Sequence, residues 1–570
     1  MDIEKTYREW LNSPLLNPQE KEALSQMNQE EKEDAFFQEA PFGTGGMRGK
    51  LGVGLNRLNR FTVGKAAYGF GLFIQEIVED SSKKGVAISH DNRLHSREFA
   101  LLCSSILNDL GIATYVFDSL RPVPELSFAV RYLRCAGGIM ITASHNPKEY
   151  NGFKAYDSTG CQLTPDSIAP LLKILSELGD PLSLQKKVCQ AKGLQTIIGK
   201  EVDDEYCKRV EAIQCHPELD KKGFKVVYSP QHGASYENAM RIFSELGYEI
   251  IPVKEQCVHD PNFGATKSPN PEIPEAWELS LEYAKRYHAD LAVMTDPDGD
   301  RCGLAFLSSK GVYERLTGNQ SGALLIDYIL SSKKEAGTLP KDGVIYDTIV
   351  TSTQGREAAA SYGVKTESFL TGFKYIGERI GYYEKLGHGP KFLFGYEESY
   401  GCLISPFVRD KDGIQAILLY TEMALYYKRK GLRLDEAYLN LQERLGFHDA
   451  STISVYFEGL SGHERMAKIM AGLRSAPLHE IGGISIKETR DFLLGLATEK
   501  DGRKKQMAKL PSSDVVQYAL DDSSTVTIRP SGTEPKMKFY IEAVSPDQKG
   551  LEGKTASLWK SLKSQLKLPD

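Results

Sequence analysis

The sequence predicts an α/β protein: three similar doubly wound α/β domains followed by a smaller α+β domain. Three observations carry this. Short apolar runs alternate with segments of helical periodicity in three successive blocks. The pattern changes after Arg444, where strand-like runs dominate. And 570 residues exceed what one core can organise, which fits three or four domains.

In the first block, GVAISHD reads as a strand, SREFALLCSSILNDLG as a helix, IATYVFD as a strand and AGGIMITAS as a buried strand ending on small polar residues. The second runs KVVYSP, helical ASYENAMRIFSELG, YEIIPV, helical PEAWELSLEYAKRYHA and LAVMTD. The third runs GVIYDTIV, STQGREAAASYG, TESFL, GFKYIGERIGYYEK and KFLFGYEES. Strands alternating with helices of this length imply parallel, doubly wound sheets. TISVYF, SIKETRDFL, TVTIRP, KMKFYIEAV and a closing helix KTASLWKSLKSQLK make the last domain. The boundaries read as 1–207, 208–316, 317–443 and 444–570.

Hydrophobic residues make up 41% and charged residues 26%, with a formal net charge of −6. This balance argues against a nucleic-acid groove or a polybasic membrane patch. The first residues are charged throughout, without the apolar core of a signal peptide, and no run is long enough to span a bilayer. Nine scattered cysteines without CxxC spacing indicate neither a disulfide framework nor a zinc site. A cytoplasmic protein is expected.

Ligands gather at the carboxyl ends of strands in open α/β sheets, and four polar turns lie there. Thr142-Ala143-Ser144-His145-Asn146-Pro147 follows GGIMI. A strand-tip serine before an Asn-Pro turn can carry a phosphate or act as a nucleophile, or be only a surface turn residue. It lacks the G-x-S-x-G of a hydrolase elbow. Asp296-Pro297-Asp298-Gly299-Asp300-Arg301 follows LAVMT. Three close carboxylates repel one another unless a cation joins them, and their hard oxygens suit Mg²⁺; an EF-hand loop would not have Arg301 at its sixth position. Gly395-Tyr396-Glu397-Glu398-Ser399 offers acceptors and a hydroxyl suited to sugar hydroxyls, though acidic turns are common. Arg529-Pro530-Ser531-Gly532-Thr533-Glu534-Pro535, with Lys536 and Lys538 beyond, has the parts of a phosphate cradle without being a Walker loop. The Gly-rich stretch from Phe42 to Gly49 has Arg48 where a dinucleotide fingerprint needs Gly, and no strand clearly precedes it. Lys411 lies among acids in Arg409-Asp410-Lys411-Asp412.

These motifs, in this order and spacing, resemble the α-D-phosphohexomutase superfamily, specifically its phosphoglucomutase-like (phosphoglucomutase/phosphomannomutase) members. The match spans Thr44 to Pro535. The resemblance implies four domains in a heart shape around a central active-site cleft. It implies that Ser144 holds the catalytic phosphoryl group and that Asp296, Asp298 and Asp300 bind one Mg²⁺, a phosphoserine oxygen of Ser144 adding a ligand. It implies that Glu397 and Ser399 read sugar hydroxyls, and that Thr371 and Gly372 contact the substrate. Arg529, Ser531, Gly532, Thr533 and Lys538 would hold the non-reacting phosphate. Arg48, His145, Lys154 and Arg301 would surround the phosphoserine, with Lys411 as acid/base. The chain departs from relatives at Gly401, where some have a His, and at Tyr540, where many have an Arg that Lys536 or Lys538 would replace.

The implied activity interconverts glucose 1-phosphate and glucose 6-phosphate, with glucose 1,6-bisphosphate as intermediate and activator. Phosphomannomutase and phosphopentomutase remain alternatives, and outside catalysis a sugar-phosphate sensor. The bisphosphate must turn around, and a hinge near residues 440–450 would let the last domain serve both orientations. The expected partner is the phosphosugar, with no nucleic acid or membrane; the chain is expected to be a monomer or weak homo-oligomer.

Overall fold

A computed structural model describes residues 2–43, 45–184, 194–457, 461–508, 510–531 and 536–569. The chain divides into two compact units. The first comprises residues 1–318, 342–344 and 373–433; the second comprises 319–341, 345–372 and 434–570. The third α/β block therefore contributes to both units. The 440–450 stretch, expected to hold a hinge, lies wholly inside the second unit.

The first unit opens with three short helices, Ile3–Leu11, Pro18–Ser25 and Gln29–Phe36. Asn17 and Asn28 close capping boxes with Glu20 and Glu31, which satisfy helix-end N–H groups. Trp10 meets Phe36 and Phe61 edge to face and seals these helices onto the first α/β domain.

Seven strands form the first sheet, in the order Phe42–Gly43, Gly46–Lys50, Tyr150–Tyr156, Gly137–Ile141, Val86–His90, Thr114–Phe117, Gln195–Ile198. The last four run parallel to one another, as expected. Tyr150–Tyr156 and the Gly46–Lys50 strand beside it are added antiparallel. The second sheet runs Tyr313–Arg315, Cys302–Leu307, Leu291–Thr295, Lys225–Ser229, Glu249–Pro252, again parallel in part and antiparallel at one side. The helix Gly413–Arg429 is buried from Gly413 to Tyr426 and packs on Leu291–Thr295 and Cys302–Leu307. Its first N–H groups are capped by the Asp412 carboxylate.

In the second unit, Phe447–Tyr456, Lys536–Ser545, Thr525–Pro530, Val516–Leu520 and Ile484–Asp491 pair antiparallel in that order. Alternate residues Met537, Phe539 and Ile541 point into a core shared with Met466, Met470, Leu558 and Leu562 of the helices Ser461–Ser475 and Lys554–Gln565. Among the described residues no helix is long and apolar enough to cross a membrane, and the eight described cysteines are free.

The four polar turns share one local architecture that the helix–strand alternation does not announce. Each joins two neighbouring antiparallel strands: Gly137–Ile141 to Tyr150–Tyr156, Leu291–Thr295 to Cys302–Leu307, Lys391–Glu397 to Gly401–Leu403, and Thr525–Pro530 to Lys536–Ser545. The connections are too short for a parallel crossover, which needs a dozen or more residues. The chain must turn straight back.

Candidate active site

Ser144 sits on the first of these turns and is 3% exposed. Its backbone adopts φ 54°, the left-handed region, which costs a non-glycine residue about 1–3 kcal/mol. The Ser144 N–H donates to Thr142 Oγ1 at 2.8 Å, and Thr142 Oγ1 donates to Asp91 Oδ2 at 2.7 Å. In this pose Ser144 Oγ donates to Asp296 Oδ2 at 2.8 Å and lies 3.2 Å from His145 Nδ1.

Asp296, Asp298 and Asp300 are all buried, and one carboxylate oxygen from each lies within 4.8 Å of the others. Their turn is pinned from three directions: Val123 N–H donates to Asp298 O, Ala234 N–H to Pro297 O, and Gly413 N–H to Gly299 O. Gly299 (φ 69°) has no room for a side chain, since a Cβ would lie 2.2 Å from Ser235 Oγ. Asp298 Oδ1 and Asp300 Oδ1 are buried without a hydrogen-bond partner. Buried carboxylate oxygens without a partner are costly unless a cation completes them. The triad therefore fits a hard divalent cation. Burial, together with Asp298 and Asp300, pushes Asp296 well above the usual carboxylate range.

Two lysines face this acidity. Lys154 Nζ lies 2.8 Å from Asp298 Oδ2 and 3.4 Å from Asp300 Oδ2. Lys411 Nζ lies 3.3 Å from Asp300 Oδ2, 3.5 Å from Asp410 Oδ1 and 3.8 Å from Glu397 Oε2. Burial disfavours both ammonium charges, but the surrounding carboxylates outweigh it and hold both lysines protonated. Burial works against the Asp300 proton's loss as well, yet Lys411, Lys154 and Arg301 keep that carboxyl below its usual range. His145 is held neutral, by burial first and then by Arg301 and Arg48 nearby.

Arg48 reaches the serine loop through Asn146, donating from Nη1 to Oδ1 at 2.9 Å. The Gly-rich stretch that carries it is a hairpin of Phe42–Gly43 and Gly46–Lys50, not a strand-to-helix nucleotide loop. Arg301 anchors the aspartate turn, its N–H donating to Asp296 Oδ1 at 3.0 Å, while its guanidinium pairs with Glu272 at 2.5 Å. Ser399 lies half-buried in the short turn after Glu397. Gly401 is explained by geometry: a Cβ there would lie 2.0 Å from Lys411 Cδ. The lysine stem occupies the space that a histidine at 401 would need.

The first unit thus gathers Ser144, His145, Lys154, Arg48, the three aspartates, Arg301, Glu397 and Lys411. Thr371 and Gly372 (φ 123°), Arg529, Ser531 and Lys538 belong to the second unit. There Arg529 stands directly across the ladder from Lys538, and Ser531 N–H donates to Lys536 O at 2.8 Å. Lys538 and Tyr540 lie on the face opposite the core residues Met537 and Phe539. Lys536 stacks over Tyr456, 5.5 Å from its ring centre. Gly532 and Thr533 lie outside the described residues, as does Thr44. The sequence reading missed Glu272, Asp410 as a partner of Lys411, and the buried pair Asp91–Arg93. The pair's only local signal is Asp-x-Arg at a strand end.

Strand-end turns on mixed α/β sheets, with a buried serine hydroxyl beside a carboxylate triad ringed by lysine and arginine, suit phosphoryl transfer. The chain belongs to the phosphoglucomutase/phosphomannomutase family: its α/β/α domains I, II and III match residues 39–179, 204–308 and 317–444, and its C-terminal domain matches 493–552. The chain is 35% identical over 519 residues to a phosphoglucomutase of Staphylococcus aureus strain bovine RF122, covering 91% of this chain and 92% of that protein. The phosphoglucomutase of strain MRSA252 is 35% identical over 529 residues, covering 92% and 94%. Among solved structures, a putative phosphomannomutase from Thermus thermophilus superposes with a TM-score of 0.67 at 21% identity, covering 93% of this chain and 99% of that one. The Paramecium phosphoglucomutase pp63/parafusin, in an open form, gives 0.65 at 19%, covering 92% and 94%. At these identities the structures speak for the fold.

Proposed function

We propose that this chain is a phosphoglucomutase, interconverting α-D-glucose 1-phosphate and glucose 6-phosphate through a phosphoserine at Ser144 and a glucose 1,6-bisphosphate intermediate. The observation that carries the reading is Ser144 Oγ, 2.8 Å from Asp296 Oδ2 at the mouth of the carboxylate triad. The name shared by the two Staphylococcus relatives, at 35% identity over nearly the whole chain, supports glucose as the sugar.

Asp296, Asp298 and Asp300 would hold Mg²⁺, which neutralises charge on the phosphoryl group during transfer. Ser144 carries that group: the Oγ–P bond breaks as a bond forms to the free hydroxyl of the sugar phosphate. Lys411 rests as an ammonium, so it takes the hydroxyl's proton after passing its own to Glu397 or Asp410 beside it, and Ser144 Oγ takes up a proton as its bond to phosphorus breaks. In the other half-cycle Lys411 returns a proton to the departing sugar oxygen as the second phosphate moves to Ser144. Lys154, Arg48 and Arg301 add positive charge around the group, and His145, neutral, orients the serine hydroxyl. Glu397 and Ser399, with Thr371 and Gly372, read the sugar. Arg529, Ser531, Gly532, Thr533 and Lys538 grip the phosphate that is not reacting. The four domains follow the boundaries 1–207, 208–316, 317–443 and 444–570, and free cysteines accord with a cytoplasmic setting.

A coupled assay with glucose, mannose and ribose 1-phosphates, with and without Mg²⁺ and a trace of glucose 1,6-bisphosphate, tests this. Glucose 1-phosphate should turn over fastest, EDTA should abolish the rate and the bisphosphate should shorten any lag. No turnover of any sugar phosphate sinks the reading; faster mannose or ribose turnover moves it to those sugars.

A further inference from the structure

Beneath the Ser144 turn lies an arginine that spends four of its five N–H donors on one loop. Arg93 and Asp91 side chains have 0% exposure. Arg93 Nη2 donates to Ser144 O at 2.5 Å and Asn146 O at 2.6 Å; Nη1 donates to Pro147 O at 2.8 Å and Tyr150 O at 2.9 Å. Nε donates to Asp91 Oδ2 at 3.1 Å. All five guanidinium N–H donors are thereby used. Four carbonyls of residues 144–150 converge on a single planar fork, which no other side chain can satisfy.

Asp91 ties this fork to the serine from the other side. Its Oδ1 accepts from Arg93 N–H at 3.0 Å and Ser96 Oγ at 2.8 Å, and its Oδ2 from Thr142 Oγ1 at 2.7 Å. Thr142 Oγ1 in turn accepts the Ser144 N–H and lies 3.3 Å from Asp298 Oδ2. The Ser144 peptide is therefore gripped at both ends, its N–H through Thr142 and Asp91 and its C=O by Arg93. Phe263, itself buried, covers the guanidinium with its ring centre 5.1 Å away. A serine at φ 54° relaxes unless its surroundings over-determine it, and these contacts are what over-determine it here.

We propose that Arg93, with Asp91 and Thr142, is the positioning device of the phosphoryl carrier: it holds the left-handed Ser144 backbone that aims Oγ at Asp296. This rests on the reading of Ser144 as the carrier. The alternative is that the pair merely stabilises the fold, and the two differ in what a mutation changes.

The test compares Arg93→Lys, which keeps the charge and loses the fork, with Thr142→Val, which keeps the shape and loses the hydroxyl. For each, kcat and KM for glucose 1-phosphate, thermal melting, and the rate of phosphoryl loading from glucose 1,6-bisphosphate by intact mass are measured. The expected result for both is a fall of about 100-fold in kcat and in loading rate, with KM within about threefold and melting retained. If Arg93→Lys does not fold, Thr142→Val decides alone. Folded variants with kcat and loading within about threefold of the parent overturn the proposal. So does a loss that vanishes when rates are expressed per folded molecule. Ser144→Ala run alongside separates the two readings: turnover retained there removes the carrier itself, whereas turnover lost there but kept in Arg93→Lys removes only the clamp.

Discussion

The Ser144 turn of the first unit and the Arg529 turn of the second each join adjacent antiparallel strands, and the described residues at the two places differ in setting. Around Ser144 the polar groups are bound from outside the hairpin, by Asp91, Arg93, Arg48 and Asp296, and the serine is strained and 3% exposed. Around Arg529 the described residues follow a regular ladder: Arg529 opposite Lys538, Ser531 closing onto Lys536, all half-buried. The contrast matches the division of labour proposed. A reacting oxygen needs one address, whereas a grip that must accept either of two phosphates gains from charge on long, half-buried side chains.

The largest break in that contrast is Ser144→Ala. Turnover should fall by at least about 10⁴-fold with the fold intact, and the phosphorylated mass species should vanish. Next is Gly401→Ala, a one-carbon change beside no reacting atom. Its Cβ would collide with Lys411 Cδ, so the lysine must leave its place between Asp300 and Glu397. A loss of about 10- to 100-fold in kcat is expected, with melting unchanged. Parental kcat would remove Lys411 from the proton path. On the second unit, Arg529→Lys should cost only about tenfold, chiefly in KM, because a lysine keeps the charge and loses the bidentate fork. A kcat collapse there would show that the two turns are equally exacting.

The smallest effect concerns stability alone. In the second unit His448 is buried between Glu542 and Glu357, each 3.0 Å away. Burial works against its charge, but the two carboxylates win and push it up to about 9. A folded-state value above the unfolded one means the stabilisation is complete below pH 6.5 and is lost as pH rises through 9. The lowered Glu542 reports the same contact and is not a second contribution. Glu357 is 39% exposed, so a share of the effect is screened and about 1–2 kcal/mol is expected. The melting difference between the parent and His448→Gln should therefore narrow between about pH 6 and about pH 9.5. A constant difference would mean packing, not charge.

Much of the site was legible because its chemistry is local. Three aspartates at alternate positions, a strand-tip serine and an Arg-Pro-Ser-Gly turn each fit within a few residues, where pattern and spacing speak directly. The strand–helix alternation likewise yields the three α/β blocks. What escaped depends on distance along the chain. Arg93 meets the serine loop from 51 residues away, and Glu272 meets Arg301 across 29. Nothing in the immediate neighbourhood of either residue marks the encounter. The antiparallel return of each turn was hidden for a different reason. The helical segments nearby match a βαβ rhythm, and only the short gap from LAVMT to CGLAFL betrays the hairpin. The split of the third block between two compact units reflects how the helix Gly413–Arg429 packs on the second sheet, which no periodicity encodes.

The hairpin form of these turns also sets what lengths the chain can tolerate. Lys154 reaches Asp298 from a return strand whose ladder pairs it with Met140, next to the pairing of Ile141 with core Phe153. Because side chains alternate across a sheet, an insertion or deletion absorbed as a one-residue slip would turn Lys154 away from the acids and present an apolar neighbour in its place. The distance in residues from Ser144 to Lys154 is thus as much a part of the proposed catalytic apparatus as either side chain, a gauge written into the gene that substitution scanning alone would never register.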